Sequence, residues 1–400
     1  MKGNLCFFAC LGILASYQAQ IRTSLYEEFS GENFGIWYPA NPNLHITLQN
    51  NASAVIPITW AVPLPSAPSP SYSLYQSNKA EINWRYKSSS GSTLAAGPST
   101  LGYGYPSQNT SSAIASNGIN TGFTGRLDGQ NTWVFGAASD DPADITSSVL
   151  LSAQSQTTNF RIVMSPSWSP TFTNCVVNVT LSSSTSFTAL GDFYFRLCLV
   201  EREVHFPNPP GINGEKDFYD VVRRSYPTTV LNGSVTAMGT QVSGTWTPGQ
   251  TQTLSLSCAI PSSIRDISLM DFVGFLQDDG DRKVYQAART GPPAVPGDMR
   301  LSSILIPLAC TNTFTPVFVA ENLGSSAISG LTLSPYIEGL ALPAYIYSAT
   351  VVGNSSFQIA LPSYTAAHGA HVFSLNISGV NGGDMNMVNN SKRVTFGIST

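Results

Sequence analysis

The sequence predicts an α+β protein of several domains, in which an α/β domain is followed by two antiparallel β-sandwich domains. Patterns of strands and helices alternate along residues 21–157, as they do in α/β domains. From residue 158 onward nearly all patterns are those of short strands separated by turns, which is typical of sandwiches. The length of 400 residues fits two or three domains.

The composition excludes several classes of protein. Lys and Arg number 19 and Asp and Glu 23, which is 10% of the chain, against about 25% in an ordinary soluble domain. With a net charge of −4 and no basic cluster, the chain lacks the cations that a nucleic-acid partner requires. Its hydrophobic fraction of 42% is too high for a disordered chain.

Residues 1–20 have the layout of a secretory signal peptide. Lys2 precedes an apolar run from Leu5 to Ala15, and a polar end with Ala19 follows. The run is too short to span a membrane, so cleavage after Ala19 or Gln20 is expected. No later apolar run approaches the length of a spanning helix. We therefore expect an exported protein with no transmembrane segment after the signal is cleaved.

The α/β domain is expected over residues 21–157. The continuous apolar run at 54–62 is typical of a strand buried on both faces, and Leu44 and Leu48 share one face of a helix. A hairpin is expected around Asp128 and Gly129. The predicted elements are a strand at 25–29, helices at 41–51 and 72–86, the strand at 54–62, hairpin strands in FTGRLDG and TWVFGA, and a helix at 140–156.

The rest of the chain is expected to be almost entirely β. Residues 158–290 are predicted to form the first sandwich, with one short helix at 217–226. A linker at 291–313, rich in Pro and Gly at its start, separates it from a smaller sandwich at 314–400. The strands are inferred from partial alternation of apolar and polar residues between turn signals.

Four cysteines remain after the signal: Cys175, Cys198, Cys258 and Cys310. Cys175 and Cys198 lie on consecutive predicted strands, so a cross-strand disulfide between them is one interpretation. The alternative is that each is a small buried apolar residue. No CxxC occurs, so no metal knuckle and no dithiol redox pair is expected.

Several segments resemble exported proteins related to outer membrane protein 28. LYEEFSGENFGIWYPANPNL, PITWAVPLPSAPSPSYSLYQSNKAEINWRY and GRLDG are similar to the thioredoxin-like N-terminal domain of that family. LCLVERE, NGEKDFYDVVRRSYP and FVGFLQDDGDRKVYQAA are similar to its following β-domain. TPVFVAENLGSSAISGLTLSPYIEG and the segment from ALPSYT to KRVTF resemble an immunoglobulin-like adhesion module, which often precedes a type IX secretion sorting domain. The resemblance implies a thioredoxin-like fold for residues 21–157.

The resemblance breaks at the redox site. Where the family motif has Cys-Gly-x-Cys, this chain has Phe34, Gly35, Ile36 and Trp37. Thiol–disulfide exchange needs a thiolate and a second, resolving thiol, which these residues do not supply. Phe123 lies near the position at which a thioredoxin-like domain has a cis-proline. Two interpretations remain for these residues: aromatic packing that closes the former site, or an aromatic patch that binds a ligand.

Acidic residues do not form a predicted active site. Glu27 and Glu28 are adjacent, so a strand directs them to opposite faces, whereas a glycosidase needs two carboxylates facing one cleft. Glu201 and Glu203 are interpreted as the solvated side of a strand end.

Two other charged clusters are interpreted without a ligand. Arg223 and Arg224 are expected at the solvated end of the short helix. Asp278, Asp279 and Asp281 are expected at a polar hairpin tip, because the distal glutamate of a calcium loop is missing. Calcium at this tip is the alternative. No metal site and no cofactor are predicted.

The function expected from these observations is a non-catalytic binding or adhesion protein. It would be exported to the cell surface or outer membrane of a Gram-negative-type bacterium, or secreted, and would bind a polysaccharide or a protein surface. The alternative is a redox-inactive thioredoxin-like carrier or chaperone domain in the periplasm.

Overall fold

The computed structural model describes residues 21–32, 40–62, 70–85, 125–139, 141–206, 208–211, 213–232, 234–307, 311–381 and 383–398. The chain is mostly β, with 49% of residues in strands and 14% in helices, and the strands form several sheets. This agrees with the predicted β-rich, multidomain fold class. The predicted signal peptide at 1–20 lies outside the described residues.

The first part of the chain alternates between strands and helices, as predicted. In order, its elements are β1 Ser24–Ser30, α1 Asn41–Asn50, β2 Val55–Ala61, α2 Ser73–Arg85, β3 Gly125–Leu127, 3₁₀ helices at Thr132–Phe135 and Pro142–Asp144, and α3 Ser147–Gln154. The predicted strands at 25–29 and 54–62 and helices at 41–51 and 72–86 are confirmed. Leu44 and Leu48 are buried on one face of α1, as their spacing indicates.

Two local predictions in this part are corrected. The segment TWVF, expected as the second strand of a hairpin, is a 3₁₀ helix, because Asp128 and Gly129 have positive φ values and lead into a tight turn closed by Leu127 and Gln130. The helix expected at 140–156 is divided, since Ile145 and Thr146 are extended between a 3₁₀ turn and α3.

The second part of the chain adds twelve strands. They are β4 Phe160–Trp168, β5 Asn174–Ser183, β6 Phe187–Thr188, β7 Phe193–His205, β8 Asp217–Tyr226, β9 Thr228–Leu231, β10 Ser234–Met238, β11 Thr240–Gln241, β12 Thr245–Trp246, β13 Thr251–Ala259, β14 Met270–Asp278 and β15 Val284–Arg289, with a 3₁₀ helix at Ile267–Leu269.

The prediction of a short helix at 217–226 is wrong, because this segment is β8. Phe218, Val221 and Val222 have a helix-like spacing, but β8 lies between β7 and β2 inside a large sheet, and both faces of the segment are largely buried. The ladder with β7 runs over most of the strand. Pairing with neighbouring strands therefore overrides the local periodicity.

One large sheet joins the two parts of the chain. Its strands lie in the order β15–β14–β7–β8–β2–β1–β3, and β11 also pairs with β7. The pairs β1–β2 and β2–β8 are parallel, whereas β3 is antiparallel to β1. The predicted domain limit between residues 157 and 158 therefore separates two segments that share one sheet.

The two faces of this sheet are covered differently. On one face, α2 and residues of the β9–β10 hairpin pack in a single core that extends from Leu25 to Ala287. On the other face, α1 and α3 cover β1 to β3, and the three-stranded sheet β13–β5–β4 packs over β7 and β14 around Phe195 and Trp246.

The last part of the chain is an antiparallel arrangement of two sheets around one core. Its strands are β16 Met299–Leu305, β17 Thr313–Phe314, β18 Val317–Asn322, β19 Leu331–Ile337, β20 Leu340–Ala341, β21 Tyr345–Tyr347, β22 Ser355–Ala360, β23 Tyr364–Thr365, β24 Gly369–Val380 and β25 Ser391–Ile398, with a 3₁₀ helix at Met387–Asn389. β16 pairs with β18, so the predicted linker at 291–313 contributes a strand to this module.

The cysteines do not form the disulfide considered from the sequence. Cys175, Cys198 and Cys258 are buried and free. Cys175 lies on β5, directly opposite Cys258 on β13, whereas Cys198 lies on β7 in the other sheet, with its Sγ 3.6 Å from the Ser225 hydroxyl. The strands that carry Cys175 and Cys198 therefore lie in different sheets. Cys310 lies outside the described residues.

Candidate functional site

The site residues named from the sequence are not tested by the structure. Phe34, Gly35, Ile36, Trp37 and Phe123 all lie outside the described residues, so the aromatic patch remains a prediction. The end of β1 and the start of α1, which are the described elements nearest to positions 34–37 in the sequence, line a cleft. This cleft contains several acidic side chains.

Glu27 and Glu28 face opposite sides of β1, which confirms the prediction for these neighbours. Glu27 lies on the side of α2, where Arg85 donates to both of its carboxylate oxygens, at 2.8 Å from Nε and 2.7 Å from Nη2. Glu28 lies on the side of α1 and lines the cleft. The two carboxylates therefore have separate environments and cannot act as a pair.

The acidic cleft lies between α1 and the ends of β1, β2 and β8. It offers about 40 Å³ to water-sized groups, enough for one or a few of them. Its walls combine carboxylates with apolar and aromatic side chains. The residues that line it are Glu28, Ser30, Asn41, Leu44, His45, Leu48, Pro57, Thr59, Glu215, Asp217, Phe218, Tyr219 and Asp220.

Glu28 is the most strongly perturbed acid in the acidic cleft. Burial, with a smaller contribution from the carboxylates of Glu215 and Asp220, raises its pKa to about 8, although hydrogen bonds such as that from the Thr59 hydroxyl oppose the shift. That hydroxyl donates to Oε2 across 3.5 Å. No arginine or lysine of the described chain forms an ion pair with Glu28. Glu28 is therefore largely protonated at neutral pH.

Glu215 behaves in the same way. It is buried, and burial together with the nearby Asp217 carboxylate raises its pKa to about 7. Its donors are neutral amides: Asn41 Nδ2 lies 3.0 Å from Oε1 and Asn213 Nδ2 lies 3.3 Å from Oε2. An amide stabilises a carboxylate less than a cation does, so the pKa stays raised and this acid is only partly ionised at pH 7.

The other two acids of the cleft have basic partners. Asp220, which has a φ of 52°, forms an ion pair with Arg289, and this charge opposes the rise in pKa that burial causes. Asp217 Oδ1 lies 2.5 Å from Nδ1 of His205, and both side chains are about half exposed. The acids of the cleft for which the described chain supplies no basic partner are therefore Glu28 and Glu215.

An aromatic pair forms one wall. The rings of His45 on α1 and Tyr219 on β8 stack with centroids 3.5 Å apart and an interplanar angle of 16°. Burial lowers the pKa of His45, against a smaller rise from Glu203. The imidazole is therefore mostly neutral at pH 7, and the pair presents a π surface next to the carboxylates.

The acidic cleft has the features of a binding site for an organic cation. Within the described residues, no three acidic, histidine or cysteine side chains converge to hold a metal ion. Buried acids without a counter-charge are complemented by a ligand that carries positive charge and hydrogen-bond donors. The acidic cleft provides acceptors, a small space and apolar walls for such a group.

Sequence reasoning missed most of this site. The sequence predicts Tyr219 and Asp220 on a helix, and it assigns no role to Glu215, which precedes that segment. Glu28 was considered only as a partner of Glu27. The carboxylates converge because β8 pairs with β2, about 160 residues distant in the chain, and no local signal indicates that pairing.

Two pairs of charged residues interpreted as solvated each contain one buried side chain. Glu201 is inaccessible, its Oε1 accepts from the backbone N–H of Arg265 and Asp266 at 2.8 Å each, and its Oε2 is 3.5 Å from Nε of Arg223. Arg223 is buried as well, whereas Glu203 and Arg224 are exposed. The interpretation therefore fails for Glu201 and Arg223, because each side chain points into the protein from a paired strand.

The aspartates of the β14–β15 turn use donors from the protein itself. Asp278 is fully buried and accepts from three backbone N–H groups, of Leu190 at 2.6 Å, Gly191 at 2.9 Å and Gly280 at 2.8 Å. Asp279 pairs with Arg196 at 2.9 Å. Asp281 caps the N–H of Lys283 at 2.9 Å. A hairpin turn explains these residues without a bound ion.

Comparison with known proteins gives only weak likenesses. No protein-family profile and no curated protein matches the sequence, so neither a family match nor a sequence relative supports the resemblance to proteins related to outer membrane protein 28. The structure of HBP35 of Porphyromonas gingivalis is similar with a TM-score of 0.44 and 9% sequence identity to this chain. The alignment covers 96% of this chain and 100% of that one.

Two further solved structures are more distant. Protein AGR_C_4864 of Agrobacterium tumefaciens is 14% identical with a TM-score of 0.33, covering 68% of this chain and 96% of that one. Red sea bream transglutaminase is 11% identical with a TM-score of 0.24, covering 66% of this chain and 36% of that one. TM-scores this low carry no conclusion about this chain. Among the described residues, no helix combines the length and apolar character needed to cross a bilayer.

Proposed function

We propose that the protein is a non-catalytic, exported binding protein and that the acidic cleft receives a positively charged group of its ligand. The layout of residues 1–20 supports export. Phe34 and Trp37 at the positions of the family's two thiols support the absence of redox catalysis. We place the protein at the cell surface or outer membrane of a Gram-negative-type bacterium, or in the medium as a secreted protein.

The thioredoxin-like assignment of the first part is a component of this proposal. Its support is the order strand, helix, strand, helix, strand, in which β1 and β2 are parallel and β3 is antiparallel to β1 on its other side. The right-handed crossover expected of such a unit places its helices on the sheet faces, and α1 and α2 lie on opposite faces.

The immunoglobulin-like assignment of the last part supports a role in adhesion. Its two antiparallel sheets, β16–β18–β22 and β20–β19–β24–β25, enclose one core. Such sandwiches present loops at both ends for recognition. We propose that this module contacts a polysaccharide or protein surface while the acidic cleft contributes a charged contact.

The ligand group that best complements the acidic cleft is a primary ammonium, such as that of a lysine side chain on a protein partner. An ammonium is a compact cation with three donors and no acceptor. The available space of about 40 Å³ suits a group of the size of water. Glu28 and Glu215 would accept its hydrogen bonds, and the apolar walls formed by Leu44 and Leu48 would contact its methylene stem.

The single observation that carries this proposal is the absence of a basic partner, within the described chain, for Glu28 and Glu215. A bound ammonium supplies the missing charge and stabilises the ionised carboxylates. Binding must therefore release protons near neutral pH, because each acid loses the proton that burial made it retain. The affinity for the amine should increase between about pH 6 and 8, as deprotonation of the free acids becomes easier.

Isothermal titration calorimetry of the mature chain tests the proposal. The probe is Nα-acetyl-lysine methylamide, and its uncharged match is Nα-acetyl-norleucine methylamide. We expect heat of binding from the lysine compound alone, with proton uptake by the buffer. Glu28→Gln and Glu215→Gln should each weaken binding by roughly 10- to 150-fold, since a hydrogen bond to a charged group contributes about 1.5–3 kcal/mol.

The control variant is Asp192→Asn. Its carboxylate lies on an exposed turn and accepts from Gln241 Nε2 at 3.0 Å, remote in sequence from the residues that line the cleft. It should bind the lysine compound as the unmodified protein does. Equal binding of the lysine and norleucine compounds, or loss of binding in Asp192→Asn alone, would reject the acidic cleft as the site.

The alternative function is a redox-inactive thioredoxin-like carrier or chaperone in the periplasm. The acidic cleft supports it in one respect, because its carboxylates and apolar walls would also accept a basic side chain of an extended polypeptide. Titration with a reduced, unfolded polypeptide distinguishes the two functions, because an adhesion protein should prefer folded surfaces.

A further inference from the structure

The strand β13 forms a free edge of the sheet β13–β5–β4. It pairs with β5 in one unbroken register over nine residues, Thr251–Ala259, and β5 pairs with β4 in the same regular way. Within the described parts of the chain, no strand pairs with the outer side of β13. Because neither ladder contains a bulge, this edge is long and regular, and it presents a row of backbone groups to which another strand can bind.

The hydrogen bonds that flank β13 show which of its backbone groups point outward. At one end the carbonyl of Gln250 accepts from the N–H of Ser183 at 3.0 Å, and at the other end the N–H of Ile260 donates to the carbonyl of Thr173 at 2.9 Å. Residues that bond to one neighbouring strand alternate along an antiparallel ladder. The even-numbered residues therefore face β5, and the outward groups belong to Thr251, Thr253, Ser255, Ser257 and Ala259.

The strand β13 carries none of the features that protect exposed edges. Natural edge strands are protected by charged side chains, prolines or bulges. The strand β4, at the opposite edge of the same sheet, contains Arg161 and Pro166, and β25 at the end of its own sheet contains Lys392 and Arg393. The sequence of β13, TQTLSLSCA, has no charged residue and no proline. Its outward backbone groups are therefore open to pairing.

The edge also leaves apolar surface incompletely covered. Leu254 and Leu256 pack against the core that contains Phe195 and Trp246, yet both leucines are only partly buried. The side chains on the other face of β13 are exposed, small and uncharged. A strand added to this edge would remove more of the two leucines from water, and burial of apolar surface stabilises an association.

We propose that two copies of this chain associate through β13, so that each strand extends the sheet of the other in antiparallel orientation. A twofold axis brings the same surface of both copies together, so that surface must complement itself. Like charges directly opposite each other destabilise a strand pair, and β13 has no charged side chain. The two three-stranded sheets become one sheet of six strands.

The side chains of β13 place the twofold axis at Ser255. The odd-numbered residues must pair with one another, because they carry the outward N–H and C=O groups. With Ser255 on the axis, Leu254 lies opposite Leu256 of the partner subunit, and the reciprocal pair forms on the other side of the axis. Cross-strand apolar pairs stabilise a sheet, and this register covers all four partly buried leucines.

Sedimentation equilibrium of the mature chain tests the proposal. We expect a dimer to form within about 1–200 µM protein, the range in which small interfaces associate. Ser255→Lys should weaken the association by at least about tenfold, because it places two ammonium groups opposite each other. Gln358→Lys is the matched control, since it adds the same charge at an exposed position of β22, an edge strand of the C-terminal module. It should associate as the unmodified protein does.

Disulfide cross-linking reports the same axis without depending on a weakened variant. Directly opposite residues of a hydrogen-bonded pair have Cα atoms about 5.5 Å apart, which a disulfide can bridge. Ser255→Cys should therefore form a covalent dimer under mild oxidation. Thr253→Cys is the control and should not, because its two copies would lie about 14 Å apart along the strands.

Three results would overturn the proposal. The first is a chain that remains monomeric up to about 200 µM, which would leave the edge to a strand from another protein. The second is a dimer that Gln358→Lys disrupts and Ser255→Lys does not, which would place the interface on β22. The third is equal cross-linking of Ser255→Cys and Thr253→Cys, which would mean that β13 does not pair about Ser255.

Discussion

The Arg85 guanidinium and the Glu27 carboxylate form a forked ion pair with no solvent exposure on either side chain. The pair joins the end of α2 to the middle of β1. Trp60 Nε1 donates to the same carboxylate at 3.1 Å, and Nη1 of Arg85 donates to Gln277 on β14 at 3.0 Å. One buried charge pair thus connects the strand–helix part of the large sheet with strands from the second part of the chain.

Breaking this ion pair should destabilise the protein strongly. Glu27→Ala or Arg85→Ala alone leaves an uncompensated buried charge, which costs about 3–5 kcal/mol. The double variant Glu27→Leu, Arg85→Met should lose less than the sum of the single variants, because it removes both charges. Urea unfolding followed by far-ultraviolet circular dichroism measures these free energies.

The control for this prediction is the Arg300–Glu321 pair, whose side chains are 30% and 25% exposed. Glu321→Gln should cost at most about 1 kcal/mol, as exposed pairs do. A cost for Glu27→Ala as small as that of Glu321→Gln would mean that the buried pair does not hold the sheet together.

Glu28 should make the protein less stable as the pH rises. Its folded-state pKa of about 8 is above the ordinary 4.5, so the folded chain retains a proton that the unfolded chain releases. The stabilisation is complete below about pH 4.5 and is lost as the pH approaches about 8. Glu215, Asp217, Asp220, Arg289 and His45 are the charged or titratable groups around it, and Glu215 titrates in the same direction.

Substitution of Glu28 reveals this dependence. Glu28→Gln should be close to the unmodified protein in stability at pH 5 and more stable at pH 8.5, by on the order of 2 kcal/mol, because each unit of pKa corresponds to about 1.4 kcal/mol and solvent in the cleft screens part of it. Urea unfolding at the two pH values gives the difference, and Asp192→Asn should show none. A constant difference between Glu28→Gln and the unmodified protein would contradict the raised pKa.

The three described cysteines should be unreactive in the folded protein. Burial raises the pKa of the thiols of Cys198 and Cys258 to about 12 and that of Cys175 to about 11, and only the thiolate attacks alkylating agents. Iodoacetamide at pH 8 should leave all three unmodified and should modify them fully in urea. Peptide mass spectrometry reads the result, and a disulfide-linked peptide pair containing Cys175 and Cys198 would contradict it.

The proposed location has its own test. Protease added to intact source cells should digest the protein if it is on the cell surface, as we propose, and mass spectrometry follows the loss. A periplasmic reference protein should survive the same treatment. Protection of this chain until the envelope is broken would place it in the periplasm and would favour the carrier or chaperone function.

Sequence patterns predict the elements that form from local residues or from simple burial. The apolar run of β2 and the paired leucines of α1 are sufficient to predict these two elements. A strand covered on both faces and a helix with one buried stripe have distinct sequence patterns. The strand β8 was not predictable in this way. Its apolar residues have helical spacing, and only the ladders with β7 and β2 make it a strand.

The candidate sites depend on the same long-range pairing. Glu28 on β1 and Glu215 just before β8 are far apart in the sequence, and neither residue stands out in its own segment. No fixed spacing links such residues, because the distances between them are set by strand order and module contact, which a single sequence does not display.

The most direct test of the proposed cation site is the titration of the Glu28 carboxyl carbon by nuclear magnetic resonance, assigned with Glu28→Gln, in the absence and presence of Nα-acetyl-lysine methylamide. Without the amine, the midpoint should lie near 8, since burial keeps the acid protonated. With saturating amine it should fall by at least about one unit, because the ammonium stabilises the carboxylate. A midpoint near 4.5, or one that the amine does not move, would contradict a cation site at Glu28.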